Sequence, residues 1–229
     1  MLLLETSTGL CSVALSQGED IVRIVRAENE REHASKLADY IRQVMDQAGV
    51  SFSELNAVVV SQGPGSYTGL RIGVATAKGI CFSCEKPLIA VDTHRAMASC
   101  FLLDHSGLDP EYDVLVPVID ARREEVYGAS LSTSLDYLEP VRAEILREGS
   151  FVTDAARRFI LFGDAAKKCI PYFQGMENVR VEVNYKPDAR GLLRPALDAY
   201  RLGRFADVAY FEPFYLKDFI AKTSAKSST

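Results

Sequence analysis

The chain has 229 residues, of which 48% are hydrophobic and 25% charged, with a formal net charge of −5 and a pI near 5.3. This is the composition of an ordinary globular protein. The negative net charge and the lack of a basic stripe exclude a protein that binds a nucleic-acid backbone without a partner. The opening MLLLETSTGLCSVALSQ has no basic leader and only short apolar runs, so we expect neither a secretory signal nor a membrane span but a cytoplasmic protein.

The first part of the chain alternates between short apolar strands and helices. The predicted elements, in order, are strands over Met1–Glu5, Cys11–Ser16 and Ile21–Ala27, a helix over His33–Ala48, a strand over Ala57–Ser61, a helix over Thr68–Ser83, a strand over Pro87–Val91 and a helix over Thr93–Leu103. The fully apolar strand AVVVS is typical of one buried on both faces of a sheet. The polar stretch after the last of these helices, His105–Asp113, predicts a domain boundary after residue 104.

The second part of the chain repeats the opening pattern. Its predicted elements are strands over Val114–Asp120, Val126–Ser132, Tyr137–Ile145 and Phe159–Phe162, and a helix over Ala189–Leu202. In each part an apolar strand ends in an acid, Glu5 or Asp120, before a polar turn and a return strand. We therefore predict a duplicated α/β fold with domains 1–104 and 105–229 and a cleft between them, and a C-terminal tail that frays or packs back on the first domain.

The glycine-rich stretch SQGPGSYTGLRIG, residues 61–73, matches none of the common catalytic loops. It lacks the lysine of a Walker loop, its GxGxxxG spacing is one residue too long for a Rossmann fingerprint, and its serine lacks the flanking glycines of a nucleophile elbow. Two interpretations stay open. Ser66, Tyr67 and Thr68 form an anion site at a helix N-terminus, or a hydroxyl only caps the helix while the glycines allow close packing.

The cysteines and histidines do not predict a metal site. Cys81 and Cys84 form a CxxC pair without a second pair of ligands, and the pair lies at the end of a predicted helix rather than at its start. We interpret both thiols as small core residues. An odd number of cysteines, five, also favours a reducing compartment.

Four segments together resemble the TsaB family: LLETSTGLCSVAL, GPGSYTGLRIGVATAKGI, DARREEVYGA and FYLKDFIAK. The resemblance runs from residue 2 to about residue 222 and implies a duplicated actin-like (ribonuclease H-like) two-domain fold with mixed sheets flanked by helices. It implies a non-catalytic subunit that binds the catalytic homologue TsaD, together with the ATPase TsaE. The complex transfers threonylcarbamoyl to the adenosine beside the anticodon of tRNA.

The residues that the catalytic homologue uses are missing at the matching positions. Its metal-binding HxxxH pair would fall on His33 and Leu37, and leucine cannot bind a metal. Its second glycine-rich loop is reduced to FGDAAKK around Gly163. Glu5 stands where the family has aspartate. The resemblance therefore implies no cofactor or metal of the chain's own, with ATP or ADP confined to the partner complex.

Three functions stay open on these grounds. The leading hypothesis is an activator that binds TsaD and TsaE, reaches tRNA only through them, and forms a homodimer when alone. The second is a weak actin-like ATPase, with a nucleotide or anion held by Glu5, Thr6, Ser66, Tyr67, Thr68 and Asp120. The third is a peptidase, which ranks lowest because no pair of nucleophile and base is evident.

The helix after the glycine loop predicts where a partner would bind. Its residues Leu70, Val74, Ala77 and Cys81 form one apolar face, which its own sheet can cover. The opposite face would then stay open, and exposed apolar patches mark interaction sites. We predict that the TsaD-binding surface consists of Ile72, Ala75, Thr76 and Gly79, beside Leu37 and Ile41 of the preceding helix.

Overall fold

The computed structural model describes residues 1–27, 36–109, 111–183 and 185–217, and its strands form two mixed sheets of five strands each. In chain order the elements are β1 (Leu2–Glu5), β2 (Ser12–Gln17), β3 (Asp20–Arg26), α1 (Leu37–Ala48), β4 (Val58–Gly63), α2 (Tyr67–Cys84), β5 (Leu88–Asp92), α3 (Thr93–Asp104), β6 (Tyr112–Asp120), β7 (Glu125–Ser132), β8 (Tyr137–Ile145), β9 (Arg158–Phe162), α4 (Ala166–Cys169), β10 (Val179–Glu182) and α5 (Leu193–Arg201). Single turns of 3-10 helix cover Phe52–Glu54, Ile170–Tyr172 and Ala189–Leu192.

The two sheets have the same topology. The first has the order β3-β2-β1-β4-β5, and the second has the order β8-β7-β6-β9-β10 when it is read from the β8 edge. In each sheet the opening strand pairs antiparallel with the strand after it and parallel with the fourth strand. The repeated order confirms the duplicated α/β fold of the actin-like type.

Helices cover both faces of the first sheet because its central strands are apolar on both sides. Leu2 and Leu4 of β1 point toward the core beneath α1 and α2, while Leu3 between them points toward α5. The alternation follows from the period of two in a β-strand. Helix α3 contributes Ala96 to this second core and Met97 to the core of the other sheet, so it packs between the two halves.

Residues 189–217 return to the first sheet after the second is complete. The 3-10 turn and α5 pack on the first sheet, and Ala206 then forms an isolated bridge with Leu88 on the edge strand β5. From there residues 206–217 run beside α2, a path that we call the C-terminal strap. Lys78 on α2 holds the strap by donating to the carbonyls of Ala209 at 3.1 Å and Phe211 at 2.9 Å.

The sequence did not predict two of the elements, α4 and β10. Helix α4 has four residues, too few for a periodic pattern, and β10 is a half-buried edge strand of alternating charge and valine. The predicted helix start at His33 and the fraying of residues 218–229 lie outside the described residues. The domain boundary at residue 104 stays a prediction. No helix in the described ranges is long and apolar enough to cross a membrane.

Candidate functional site

The turn that follows β1 lies beneath the glycine loop. The Glu5 side chain is only 2% exposed, and its Oε1 accepts hydrogen bonds from the backbone N–H of Ser7 at 2.7 Å and from the Ser7 and Ser61 hydroxyls. Burial raises the pKa of the Glu5 carboxyl above its ordinary value, and the hydrogen bonds from Ser7 and Ser61 oppose that rise. Glu5 is therefore a packed internal group of this turn.

Three glycines allow the loop and the start of α2 to approach this turn closely. A Cβ on Gly65 would overlap the carbonyl oxygen of Ser7, and one on Gly69 would overlap the carbonyl oxygen of Thr6. One on Gly73 would overlap the Thr6 hydroxyl. The glycine spacing of this loop is thus required by contact between two segments of this chain.

The polar groups at the start of α2 form hydrogen bonds within this chain. The Ser66 hydroxyl accepts from the backbone N–H of Gly69 at 3.2 Å, and the Ser66 N–H donates to the carbonyl of Ser7 at 2.7 Å. The ring centroids of Tyr67 and of Tyr215 in the strap are 5.0 Å apart, whereas the Thr68 side chain is exposed. These contacts favour the helix-capping interpretation over the anion site.

Two hydroxyl groups in the turn are buried without a partner. Thr6 Oγ1 and Thr8 Oγ1 have no hydrogen-bond partner among the described residues, and both side chains are at least nine-tenths buried. Unsatisfied buried hydroxyls are rare in proteins, so these two favour a polar group bound at the turn.

Asp120 lies at the matching position of the second half but in a different setting. Its side chain is exposed, and Oδ1 accepts from the backbone N–H of Arg122 and from Lys168 Nζ, each at 2.6 Å. The ammonium group neutralises the carboxylate, and both partners belong to the second half. The structure thus packs Glu5 and Thr6 against the start of α2, while Asp120 makes no recorded contact with them.

The expectation that Leu37 and Ile41 are exposed is wrong. Both are buried in the core between α1 and the first sheet, at 1% and 3% exposure. The outward face of α1 is polar and includes the exposed ion pair between Asp39 and Arg42. A helix with one apolar stripe packs that stripe on its own sheet, which accounts for the burial of Leu37 and Ile41.

The two faces predicted for α2 differ in burial. Leu70, Val74, Ala77 and Cys81 are buried, as expected for the face on the sheet. On the other side Ala75 and Gly79 are exposed, Thr76 is half-buried, and Ile72 is half-buried against the core.

The sequence reasoning missed an exposed aromatic residue on the same side of the helix. Phe82 is 83% exposed and follows Ala75 and Gly79 at helical spacing. That spacing was the signal available in the sequence. We call Ala75, Gly79 and Phe82 the α2 stripe.

The cysteine pair and the histidines form no metal centre in the part of the chain that the structure describes. No group of three His, Cys, Asp or Glu side chains there could hold an ion. Cys81 and Cys84 lie in the last turn of α2, and burial raises the pKa of the Cys81 thiol to about 11. His33 falls outside the described residues.

Comparisons with known proteins all relate this chain to proteins of tRNA threonylcarbamoyladenosine biosynthesis. The family TsaD, tRNA N6-adenosine threonylcarbamoyltransferase, matches residues 21–149. The tRNA threonylcarbamoyladenosine biosynthesis protein TsaB of Haemophilus influenzae is 32% identical over 127 residues, which are 56% of this chain and 51% of that protein. The TsaB protein of Buchnera aphidicola is 26% identical over 84% of this chain and 86% of its own length.

A solved structure extends the match over nearly the whole chain. YeaZ from Pseudomonas aeruginosa superposes with a TM-score of 0.79 at 26% identity, covering 94% of this chain and 98% of its own. In the sequence comparison, by contrast, the chain spans about half the length of the Haemophilus influenzae relative. The match to more than half of the chain shows that it belongs to the TsaD family, tRNA N6-adenosine threonylcarbamoyltransferase, among the TsaB proteins of that family.

Proposed function

We propose that this chain is a non-catalytic subunit that binds TsaD, together with TsaE, in the biosynthesis of threonylcarbamoyladenosine in tRNA. The TsaB relatives are named for that pathway, and the family that matches this chain is the transferase TsaD. In this proposal the chain acts in the cytoplasm and meets tRNA only within the complex, and its surface for TsaD also supports a homodimer when the chain is alone.

The observation that carries the proposal is the α2 stripe. Ala75 and Gly79 leave the helix backbone accessible, and Phe82 stands beside them with most of its ring in solvent. Small residues let a second helix approach closely, and aromatic anchors contribute much of the energy of protein interfaces. An exposed patch of this kind, on a helix whose opposite face is buried on the sheet, suits a partner helix.

The packing of the first turn supports a role without chemistry. Glu5 and Thr6 lie beneath the glycine loop, and the recorded donors at the start of α2 bond to this chain. Asp120 is neutralised by Lys168. In this proposal the chain needs no nucleotide or metal of its own, and any ATP or ADP belongs to the complex.

A substitution on the α2 stripe tests this function. Ala75→Arg places a charged, bulky side chain at the N-terminal end of the stripe, where a partner helix would have to bury it. Binding of purified TsaD, measured by titration calorimetry, should weaken by at least about thirtyfold, and complex-dependent tRNA modification should fall with it. Ala155→Arg makes the same change at an exposed position of the second half and should bind normally.

The result of this test is clear in either direction. If Ala75→Arg remains folded and binds TsaD as tightly as the unchanged chain does, the α2 stripe is not the interface. If the unchanged chain does not bind TsaD at all, the proposed function is wrong.

The unpartnered hydroxyls of Thr6 and Thr8 favour a second candidate, a weak ATPase. Under that hypothesis the purified chain hydrolyses ATP slowly by itself, and Glu5→Ala abolishes the activity. Absence of hydrolysis above the buffer rate, with TsaD binding intact, would reject it.

A further inference from the structure

The tip of the β6–β7 hairpin has an unusual backbone. Arg122 and Arg123 are consecutive and both left-handed, with φ of +73° and +51°. The hairpin closes around them through bonds from the N–H of Ala121 to the carbonyl of Glu125 at 3.1 Å and from the N–H of Glu125 to the carbonyl of Arg122 at 3.2 Å. Glycine and asparagine are the residues that favour such positions.

Nothing in the hairpin explains why arginine stands there. Both arginine side chains are exposed, and neither guanidinium makes a hydrogen bond, ion pair or ring contact with the described residues. A residue with a Cβ is disfavoured in the left-handed region, and these side chains gain no compensating contact with the described residues. Such a departure from local preference is a reason to look for a function outside the fold.

The acidic groups around the tip are occupied by other partners. Lys168 pairs with Asp120 at 2.6 Å, Lys217 of the strap pairs with Glu125, and Glu124 accepts from Tyr172. No carboxylate among the described residues forms an ion pair with either of the two guanidinium groups.

Lys168 also holds the backbone of the tip in place. Lys168 Nζ donates to the carbonyl of Arg123 at 2.7 Å, in addition to its ion pair with Asp120. The tip thus presents two guanidinium groups that have no partner among the described residues, on a backbone that Lys168 holds in place.

We propose that Arg122 and Arg123 bind phosphate groups of an RNA backbone. Guanidinium groups match phosphate oxygens in a bidentate arrangement, and most protein contacts to nucleic acids go to phosphates. The centre of a protein interface is rich in apolar and aromatic side chains. The residues of the tip, DARREE, include no such side chain except one alanine. The inference rests on the proposed function, because that function brings this chain to tRNA.

The test measures RNA binding by the assembled complex. The full chain is mixed with TsaD and TsaE of the same organism, and binding of an unmodified tRNA transcript is followed by fluorescence anisotropy at several salt concentrations. Arg122→Ala with Arg123→Ala should weaken binding by about tenfold. The slope of log affinity against log salt should fall by about 1.5, since each phosphate contact contributes roughly 0.7 to 0.9.

A matched control separates this contact from general charge. Arg194 and Arg204 are also exposed and have no side-chain partner among the residues that the structure describes, and they lie in and just after α5, which packs on the first sheet. Changing both to alanine removes the same charge and should leave the affinity within about twofold and the slope unchanged.

A second variant excludes misfolding as the cause. Arg122→Asn with Arg123→Gly supplies residues that accept the left-handed backbone, so the hairpin should form at least as well as before. RNA binding should still fall as far as it does in the alanine pair. If this variant binds the transcript like the unchanged chain, the inference is wrong.

Other outcomes distinguish this inference from the proposed function. If the arginine variants lose TsaD instead of RNA, the tip is a protein contact and the inference is wrong. If the unchanged chain forms no complex, the proposed function fails. The titration is then made with the isolated chain at low salt, where equal binding by the unchanged and variant chains overturns the inference.

Discussion

Glu5 shows how a strand-end acid can be hydrogen-bonded within the fold. Two serines bond to one of its carboxylate oxygens, and the side chain is almost fully removed from water. Burial raises its pKa, so the folded chain holds this proton to a higher pH than the unfolded chain, which releases it near pH 4.5. The free energy of unfolding therefore falls as the pH rises from 4.5 through the folded pKa, and it stays reduced above that value.

Glu5→Gln should remove this dependence. The amide oxygen can accept the same hydrogen bonds without a buried charge, so the variant should be more stable than the unchanged chain at pH 8. The gain is about 1.4 kcal/mol for every unit by which the folded pKa is raised. Urea unfolding at pH 4 and pH 8 checks this, with Glu148→Gln at an exposed site as control. A variant that is less stable at pH 8 would show that the ionised carboxylate contributes to the fold.

The arginines of the β6–β7 tip show the opposite case at the same scale. Glu5 Oε1 accepts hydrogen bonds inside the chain, whereas the two guanidinium groups have no partner in the described ranges. A strained backbone combined with unused charge is what made these residues a candidate for binding.

Helix α2 has two kinds of glycine, and their surroundings differ. Gly69 faces the backbone of Thr6, where a Cβ has no space, while a Cβ on Gly79 would have no atom within 4 Å. One glycine permits close packing of two backbones, and the other only leaves part of the helix surface bare.

Alanine at each position should separate these roles. Gly69→Ala should lower the free energy of unfolding by about 3 kcal/mol, because the rigid backbone of Thr6 cannot move aside cheaply. Gly79→Ala should raise it by about 0.5 to 1 kcal/mol, because alanine loses less backbone entropy in a helix. Guanidinium unfolding of both variants measures the difference. Equal effects would mean that the glycine loop does not pack on the turn after β1 as described.

The charge of the whole molecule limits what the isolated chain can bind. With a net charge of −5, its long-range field repels RNA, and two exposed arginines at one hairpin tip cannot reverse that. We expect the isolated chain to bind tRNA with a dissociation constant weaker than about 10 μM at physiological salt. Filter binding of the purified chain checks this, and submicromolar, salt-sensitive binding would contradict it.

The duplicated architecture was the most predictable property of the molecule. Apolar strands that end in Glu5 and Asp120, each followed by a polar turn and a return strand, are local patterns, and both hairpins formed where they were expected. Local patterns also identified the buried face of α2. The short helix α4 and the edge strand β10 depend on neighbours distant in the chain, so they were missed.

By itself, the sequence determined the alternation of strands and helices, the duplication and the face of α2 that packs on the sheet, because these follow from hydrophobic periodicity within single segments. Only the tertiary structure decided what the glycines are for, since the atoms that exclude a Cβ at Gly65 and Gly69 come from the turn after β1. It also decided that Leu37 and Ile41 are core while Phe82 is exposed. Burial depends on what packs against a residue, and distant segments supply those neighbours.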